Sequence, residues 1–174
     1  LISAALYGGA LSVSGFLLQT FFRNPIVGPF VLGISSGAKM FVGFVMIVLL
    51  GFMNSVPGYA IVLAAFIGSM LSMLLVLLFS KIVGNISMLF VIGIMIGYIC
   101  GAVTDFLITF AQESHIANLT MWSMGSFSGS KWGDLKITAP VILLGFLMTM
   151  LLSKPIGAFQ LGEGYAKSLG VNIK

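Results

Sequence analysis

The sequence predicts an all-α, polytopic transmembrane helical bundle, and three observations predict it. Hydrophobic residues make up 59% of the 174-residue chain and charged residues only 7%, where a soluble domain carries about a quarter. The mean hydropathy is +1.18. The apolar residues fall in long blocks separated by turn chemistry, the pattern that lipid-embedded helices require. Eight Lys and Arg with four Asp and Glu are too few to cover a water-facing surface.

Five apolar stretches approach the length needed to cross a hydrocarbon core of about 30 Å at about 1.5 Å per helical residue. They are Leu1–Phe22, Gly33–Met53, Gly58–Phe79, Ile86–Ala111 and Leu135–Ser153. The fourth is longer than a span requires and is expected to tilt or project. Pro140 suits the first turn of the fifth. Arg23-Asn24-Pro25 and Gly28-Pro29 break the chain after the first span, Asn54 to Gly58 forms a second turn, and Lys81 to Asn85 a third. The longest polar interval, Gln112 to Asp134, holds Trp122 and Trp132 and is expected at a membrane interface. Entry into an apolar helix at Leu1, without an initiating Met, reads as a piece of a longer chain.

Charge sets the orientation. The net charge is +4, but the basic residues are scattered singly between apolar blocks, so they bear on topology rather than on nucleic acid. With Leu1 outside, the inner segments hold Arg23, Lys81, Lys154, Lys167 and Lys174, and the outer ones Lys131 and Lys136. The positive-inside rule favours that arrangement. Lys39, read as lying near the inner end of the second span, would snorkel to the same side.

Small residues recur at helical spacing. Ala4, Gly8, Ser12, Gly15 and Gln19 share one face of the first span; Ala60, Ala64, Gly68 and Ser72 do so in the third, and Gly93, Gly97 and Gly101 in the fourth. Such stripes let membrane helices approach closely. The alternative for the first is that Ser12 and Gln19 line a translocation path. Asp105 is the only acid inside an expected span; as an intramembrane acid it is a candidate to line the path, facing a cavity or a partner, or else it reaches interfacial water or caps against Thr104 or Thr109.

Little points to chemistry. The lone cysteine, Cys100, lies in an apolar block and reads as a small core residue. His115 and Glu113 in the polar interval have no second His or Cys to make a metal site. Asn118-Leu119-Thr120 and Asn85-Ile86-Ser87 are weak glycosylation patterns. Gly125 to Lys131 misses the spacing of a phosphate loop. No nucleophile–base pair or paired carboxylates appear, so neither catalysis nor a cofactor is expected within the chain.

Leu11 to Ala38 reads LSVSGFLLQTFFRNPIVGPFVLGISSGA, Met121 to Trp132 reads MWSMGSFSGSKW, and Leu161 to Val171 reads LGEGYAKSLGV. In that order these segments resemble the signature stretches of the FecCD family of ABC importer permeases. The resemblance implies a permease of roughly ten spans, about twice the five counted here, in a bacterial cell membrane. It implies work as a homodimer or paired permease with an ATP-binding subunit that performs the hydrolysis, fed by an extracytoplasmic substrate-binding protein. The cargo would be an iron-siderophore, haem or cobalamin-type compound. Carried over by position, the resemblance places Asn24, Ile26 and Ser87 at a cytoplasmic gate. It places Leu161, Gly162, Glu163, Ala166, Leu169 and Gly170 in a segment, 160–171, that couples to the ATPase. Leu161, Tyr165 and Leu169 recur every four residues and are expected to form an apolar ridge on a short helix there. Gly164 replaces a larger residue and should loosen that helix by up to about 1 kcal/mol relative to Ala.

Two rival readings remain at this level. An ion-gradient-driven secondary transporter would need buried coupling carboxylates and broken helices near mid-membrane. A non-transporting membrane scaffold would need neither the polar stripe nor the coupling segment.

Overall fold

A computed structural model of the protein describes residues 1–49, 57–83 and 85–171. It divides the chain into two compact units: Leu1–Val27 with Ser126–Lys174, and Gly28–Gly125. The described residues are helical and joined by short turns.

The first unit holds α1 (Ile2–Phe22), α6 (Trp132–Leu151), α7 (Ser153–Gln160) and α8 (Glu163–Ser168). Tyr7 joins α1 to α6: its hydroxyl lies 3.0 Å from Thr138 Oγ1, and its ring stacks on Phe127 at 6.2 Å between centroids. Gly9 completes the contact, since a Cβ there would meet the Phe146 ring at 3.2 Å. The small-residue stripe of α1 lies elsewhere. A Cβ at Gly8 or Gly15 would meet no atom within 4 Å, and Ser12 is exposed. The expectation that this stripe packs against protein therefore finds no neighbour within the described chain.

The second unit holds α2 (Ile34–Phe44), α3 (Gly58–Val83), α4 (Ile86–Thr109) and α5 (Glu113–Met124), with a π-helical turn at Val45–Leu49 continuing α2. Here the small-residue stripes work as expected. Gly37 of α2 crosses Gly68 of α3 so closely that a Cβ at Gly37 would sit 2.7 Å from the Gly68 carbonyl, and one at Gly68 would sit 2.9 Å from the Cβ of Phe41. On the other side, a Cβ at Gly93 would meet Leu32 at 3.1 Å and one at Gly97 would meet Gly33 at 3.3 Å. Contacts this short need glycine, because membrane helices associate by close backbone packing rather than by escape from water. Gly101, the third glycine of the α4 series, has no such neighbour. The core joins Val42, Met46, Ala64 and Leu119. Cys100 is buried as expected, with Ser72 Oγ at 3.9 Å from its sulfur, and Thr104 Oγ1 donates to its carbonyl at 2.8 Å.

Several boundaries differ from expectation, each for a physical reason. Among the described residues, four helices are long and apolar enough to cross a membrane: Ile2–Phe22, Gly58–Val83, Met88–Thr109 and Trp132–Leu151. Of the second expected span, the described part is an apolar helix over Ile34–Val48. Its expected end at Met53, and the turn from Asn54, lie outside the described residues. The third helix runs past Phe79 to Val83 and carries Lys81 in its last turn, where a cation favours the helix dipole. Pro140 is interior to α6, because that helix starts three residues earlier than expected, at Trp132. There Asp134 Oδ2 accepts the Lys131 N–H at 3.3 Å. The polar interval also contains a full helix, α5. Its Leu119 is 1% exposed, with Ile116 and Trp122 partly buried three residues to either side. Trp122 thus packs on the core.

Lys39 is the most consequential relocation. Gly33, just before α2, rests on Gly93 and Gly97, which lie about 10 and 16 Å along α4 from its start at about 1.5 Å per residue. Gly37 is level with Gly68, near the middle of α3, and Gly43 with Thr104, near the far end of α4. Lys39 lies between these two levels. It is deep in the helical layer, not at its edge, and the expected snorkelling position is corrected.

Candidate functional site

The C-terminal end of α1 is closed by a hydrogen-bonded turn. Asn24 N–H donates to the Gln19 carbonyl at 3.1 Å and Arg23 N–H to the Thr20 carbonyl at 3.3 Å, the paired bonds of a Schellman ending. The left-handed position, usually glycine, is Arg23 with φ 48°. It is the single non-glycine residue at positive φ among the described residues. A Cβ in that conformation costs on the order of 1–2 kcal/mol, so surrounding contacts must hold it.

Those contacts are visible. Gln19 Nε2 donates to the Pro25 carbonyl at 3.0 Å. Ile26 N–H donates to Asn24 Oδ1 at 3.0 Å, a local turn that asparagine favours, and Val27 N–H donates to the Asn24 carbonyl at 3.3 Å. The two expected gate residues of this segment, Asn24 and Ile26, are therefore bonded to each other. Ile26 is 75% exposed beside a fully buried Val27, so the turn presents one apolar side chain outward from a fixed backbone. A cleft of about 380 Å³ lies beside it, lined by Phe16, Gln19, Thr20, Arg23, Asn24, Pro25 and Gln160.

Gln160 closes α7. Its Nε2 donates to the hydroxyl of Thr20 at 2.9 Å, and Thr20 is buried. Beyond it comes the expected coupling segment. Gly162 at φ 114° and Gly170 at φ 80° bracket α8, so both ends use conformations that side chains resist. Gly170 N–H donates to Lys167 O at 3.0 Å and Val171 N–H to Ala166 O at 3.0 Å, another Schellman ending. Ala166 is fully buried, while Leu161, Tyr165 and Leu169 are 69%, 50% and 58% exposed. The expected ridge is modified in one respect: α8 is only six residues long, so Leu161 and Leu169 flank it. The three side chains are nonetheless uncovered. The Glu163 side chain lies outside what is described.

The other expected site residues are dispersed. Ser87 is the second residue of α4, in the other unit, and its side chain also lies outside what is described. Ser12 Oγ donates back to the Gly8 carbonyl at 2.8 Å. Asp105 is exposed on α4; Thr109 bonds its backbone carbonyl at 3.0 Å, and its carboxylate has no partner among the described residues. These residues contain no cluster of His, Cys, Asp and Glu able to hold a metal.

A family model described as the FecCD transport family matches residues 1–174. The chain belongs to the FecCD transport family. It is 33% identical over 172 residues to a hemin transport system permease protein, HmuU, of Yersinia pestis, covering 98% of this chain and 52% of that one. It is 35% identical over 173 residues to a vitamin B12 import system permease protein, BtuC, of Klebsiella pneumoniae, covering 99% of this chain and 51% of that one. Among solved structures, one described as a metal-chelate type ABC transporter in an inward-facing conformation superposes with a TM-score of 0.81 and 29% identity. That match covers 98% of this chain and 53% of the other. The chain thus spans about half the length of the curated relatives it matches. This FecCD-family chain is a helical, multi-pass protein of a bacterial cell membrane.

Sequence reasoning missed three features of the FecCD chain: α5, α7 and the Thr20–Gln160 bond. The spacing of Ile116, Leu119 and Trp122 could have revealed α5. The bond spans 140 residues and leaves no local signal.

Proposed function

We propose that this chain forms part of the permease of an ATP-driven importer, carrying a metal chelate or a haem- or cobalamin-type macrocycle across the membrane. The relatives' described activities, hemin transport and vitamin B12 import, support that substrate range. The permease works as a pair, with an ATP-binding subunit on the cytoplasmic side and a substrate-binding protein on the other.

One observation carries the reading: Gln160, which precedes a short helix with an uncovered apolar ridge, is tied by a part-buried hydrogen bond to the end of the helix that leads into the Ile26 turn. Leu161, Tyr165 and Leu169 supply too few apolar anchors for firm membrane association, and the glycine turns at 162 and 170 hold α8 as a compact knob. Seated in a cleft of an ATPase, the knob moves with it. Gln160 and Thr20 pass that movement to the end of α1, where Asn24 and Ile26 guard the exit. A secondary transporter would use clustered coupling carboxylates, whereas the acids in the membrane-length helices, Asp105 and Asp134, lie on different helices and form no cluster among the described residues.

The test replaces both Leu161 and Leu169 with Asp in the full-length permease and purifies it with its ATP-binding subunit. The expected result is loss of co-purification or of ATP-driven uptake. Retention of both overturns the coupling role.

A further inference from the structure

In the second unit a cleft of about 480 Å³ is lined by Phe30, Ser35, Ser36, Ala38, Lys39, Trp122 and Ser123. Its volume falls within the range of small-molecule sites, about 300–1,000 Å³. Lys39 lies at the depth fixed above, between the Gly37–Gly68 crossing and the Gly43–Thr104 contact. A cation at that depth is costly and is retained where it faces water, a cavity or an anion. Among the described residues, the side chains of Lys39, Ser35 and Ser36 make no hydrogen bond or ion pair. Their polar atoms are not sealed off either, because no unpartnered buried side-chain nitrogen or oxygen is present among those residues. Unused donors therefore open on the cleft beside the aromatic side chains of Phe30 and Trp122.

We propose that this cleft binds an anionic group, a carboxylate or phosphate, borne on the transported chelate, with Lys39 as its counter-charge. The inference rests on the permease reading and adds to it a substrate class: a solute with at least one negative substituent. The ammonium supplies charge without fixed geometry. Ser35 and Ser36 supply neutral donors, and the aromatic rings offer flat apolar surface to the rest of the solute. The bonds are non-covalent throughout.

The test probes the electrostatics of the cleft directly. In the full-length permease, in a background without other reactive cysteines, Ser36→Cys is treated with an anionic sulfonatoethyl and a cationic trimethylammonioethyl methanethiosulfonate. The anionic reagent should react about tenfold faster relative to the cationic one, as a unit charge a few ångströms away demands in a partly wet site. Taking the ratio cancels any effect of Lys39 on the reactivity of the thiol itself. Lys39→Arg should keep the preference and Lys39→Met should abolish it. Iron citrate, a water-borne anion, should protect the thiol in phosphatidylcholine nanodiscs. An unreactive thiol, equal rates with Lys39 in place, or protection by added phosphatidylglycerol but not by iron citrate would each overturn the proposal; the last would make a lipid headgroup the occupant. Co-purification of the ATP-binding subunit with the parent protein is measured separately, so failure of the permease reading is distinguishable from failure of the cleft.

Discussion

Gln160 Nε2 donates a hydrogen bond of 2.9 Å to the hydroxyl of Thr20, joining the last residue of α7 to the last turn of α1. One partner leads within two residues to the glycine that begins the coupling knob. The other lies four residues before Asn24. A net hydrogen bond contributes about 0.5–1.5 kcal/mol, small against the energy of a transport cycle. In the proposed coupling its value is geometric: it ties the end of α7 to the end of α1.

Gln160→Leu should therefore lower ATP-driven uptake several-fold while leaving the ATP-binding subunit bound, because the knob itself is intact. Thr20→Val should do the same. Together the two changes should cost little more than either alone, since both remove one interaction. Uptake and ATP hydrolysis measured on the same preparations check this. Additive losses would mean that the two residues act separately.

The Gly37–Gly68 crossing sets a second expectation. A Cβ at position 37 would lie 2.7 Å from a backbone oxygen, which cannot rotate away as a side chain could. Gly37→Ala should destabilise the permease by about 1–3 kcal/mol, the usual cost of overpacking, read as a lower Tm in detergent. A Cβ at Gly15 would meet no described atom within 4 Å, so Gly15→Leu has open space beside it. It should leave Tm nearly unchanged and impair assembly or uptake if another subunit or segment covers that face.

The contrast between those glycines shows what was legible in the sequence. Spacing identified Ala60, Ala64, Gly68 and Ser72 as one face, and Gly93, Gly97 and Gly101 as another; Gly68, Gly93 and Gly97 are tightly packed, whereas Gly101 meets no neighbour. The same spacing identified Gly8, Ser12 and Gly15, yet their face is open within this chain. Periodicity gives a face, and the partner depends on where the chain returns. The depth of Lys39 was illegible for a related reason. Leu32 and Gly33 already lie against Gly93 and Gly97, partway along α4, before α2 begins, so position in the sequence did not translate into position along the helical layer. The α8 knob was legible because its glycines and capping bonds are local. The Thr20–Gln160 bond was not, because it is a product of tertiary packing alone.

Orientation gives a third expectation. Asn118 and Lys167 are both exposed, and the charge count puts them on opposite sides of the membrane. Cysteines placed singly at 118 and 167 should differ in intact cells: an impermeant maleimide should label 118 at once and 167 only after permeabilisation. Labelling of 167 alone in intact cells would invert the topology and remove α8 from the reach of a cytoplasmic ATPase.

The glycines of the coupling segment should respond in opposite directions. Gly164 lies inside α8 and a Cβ there would meet nothing within 4 Å. Gly164→Ala should favour the helix by up to about 1 kcal/mol, with retained or firmer binding of the ATP-binding subunit. Gly170 sits at φ 80° and ends the helix through the Gly170–Lys167 and Val171–Ala166 bonds. Space is open around it as well, so sterics with neighbours cannot explain a penalty. Gly170→Ala should still cost about 1 kcal/mol through backbone strain alone. The chain leaving α8 would then turn differently, Leu169 would be displaced from the ridge, and the affinity for the ATP-binding subunit should fall several-fold. Titrating that subunit onto each variant in nanodiscs separates the two effects. Equal affinities for the Gly164→Ala and Gly170→Ala proteins would show that the shape of the knob does not determine docking.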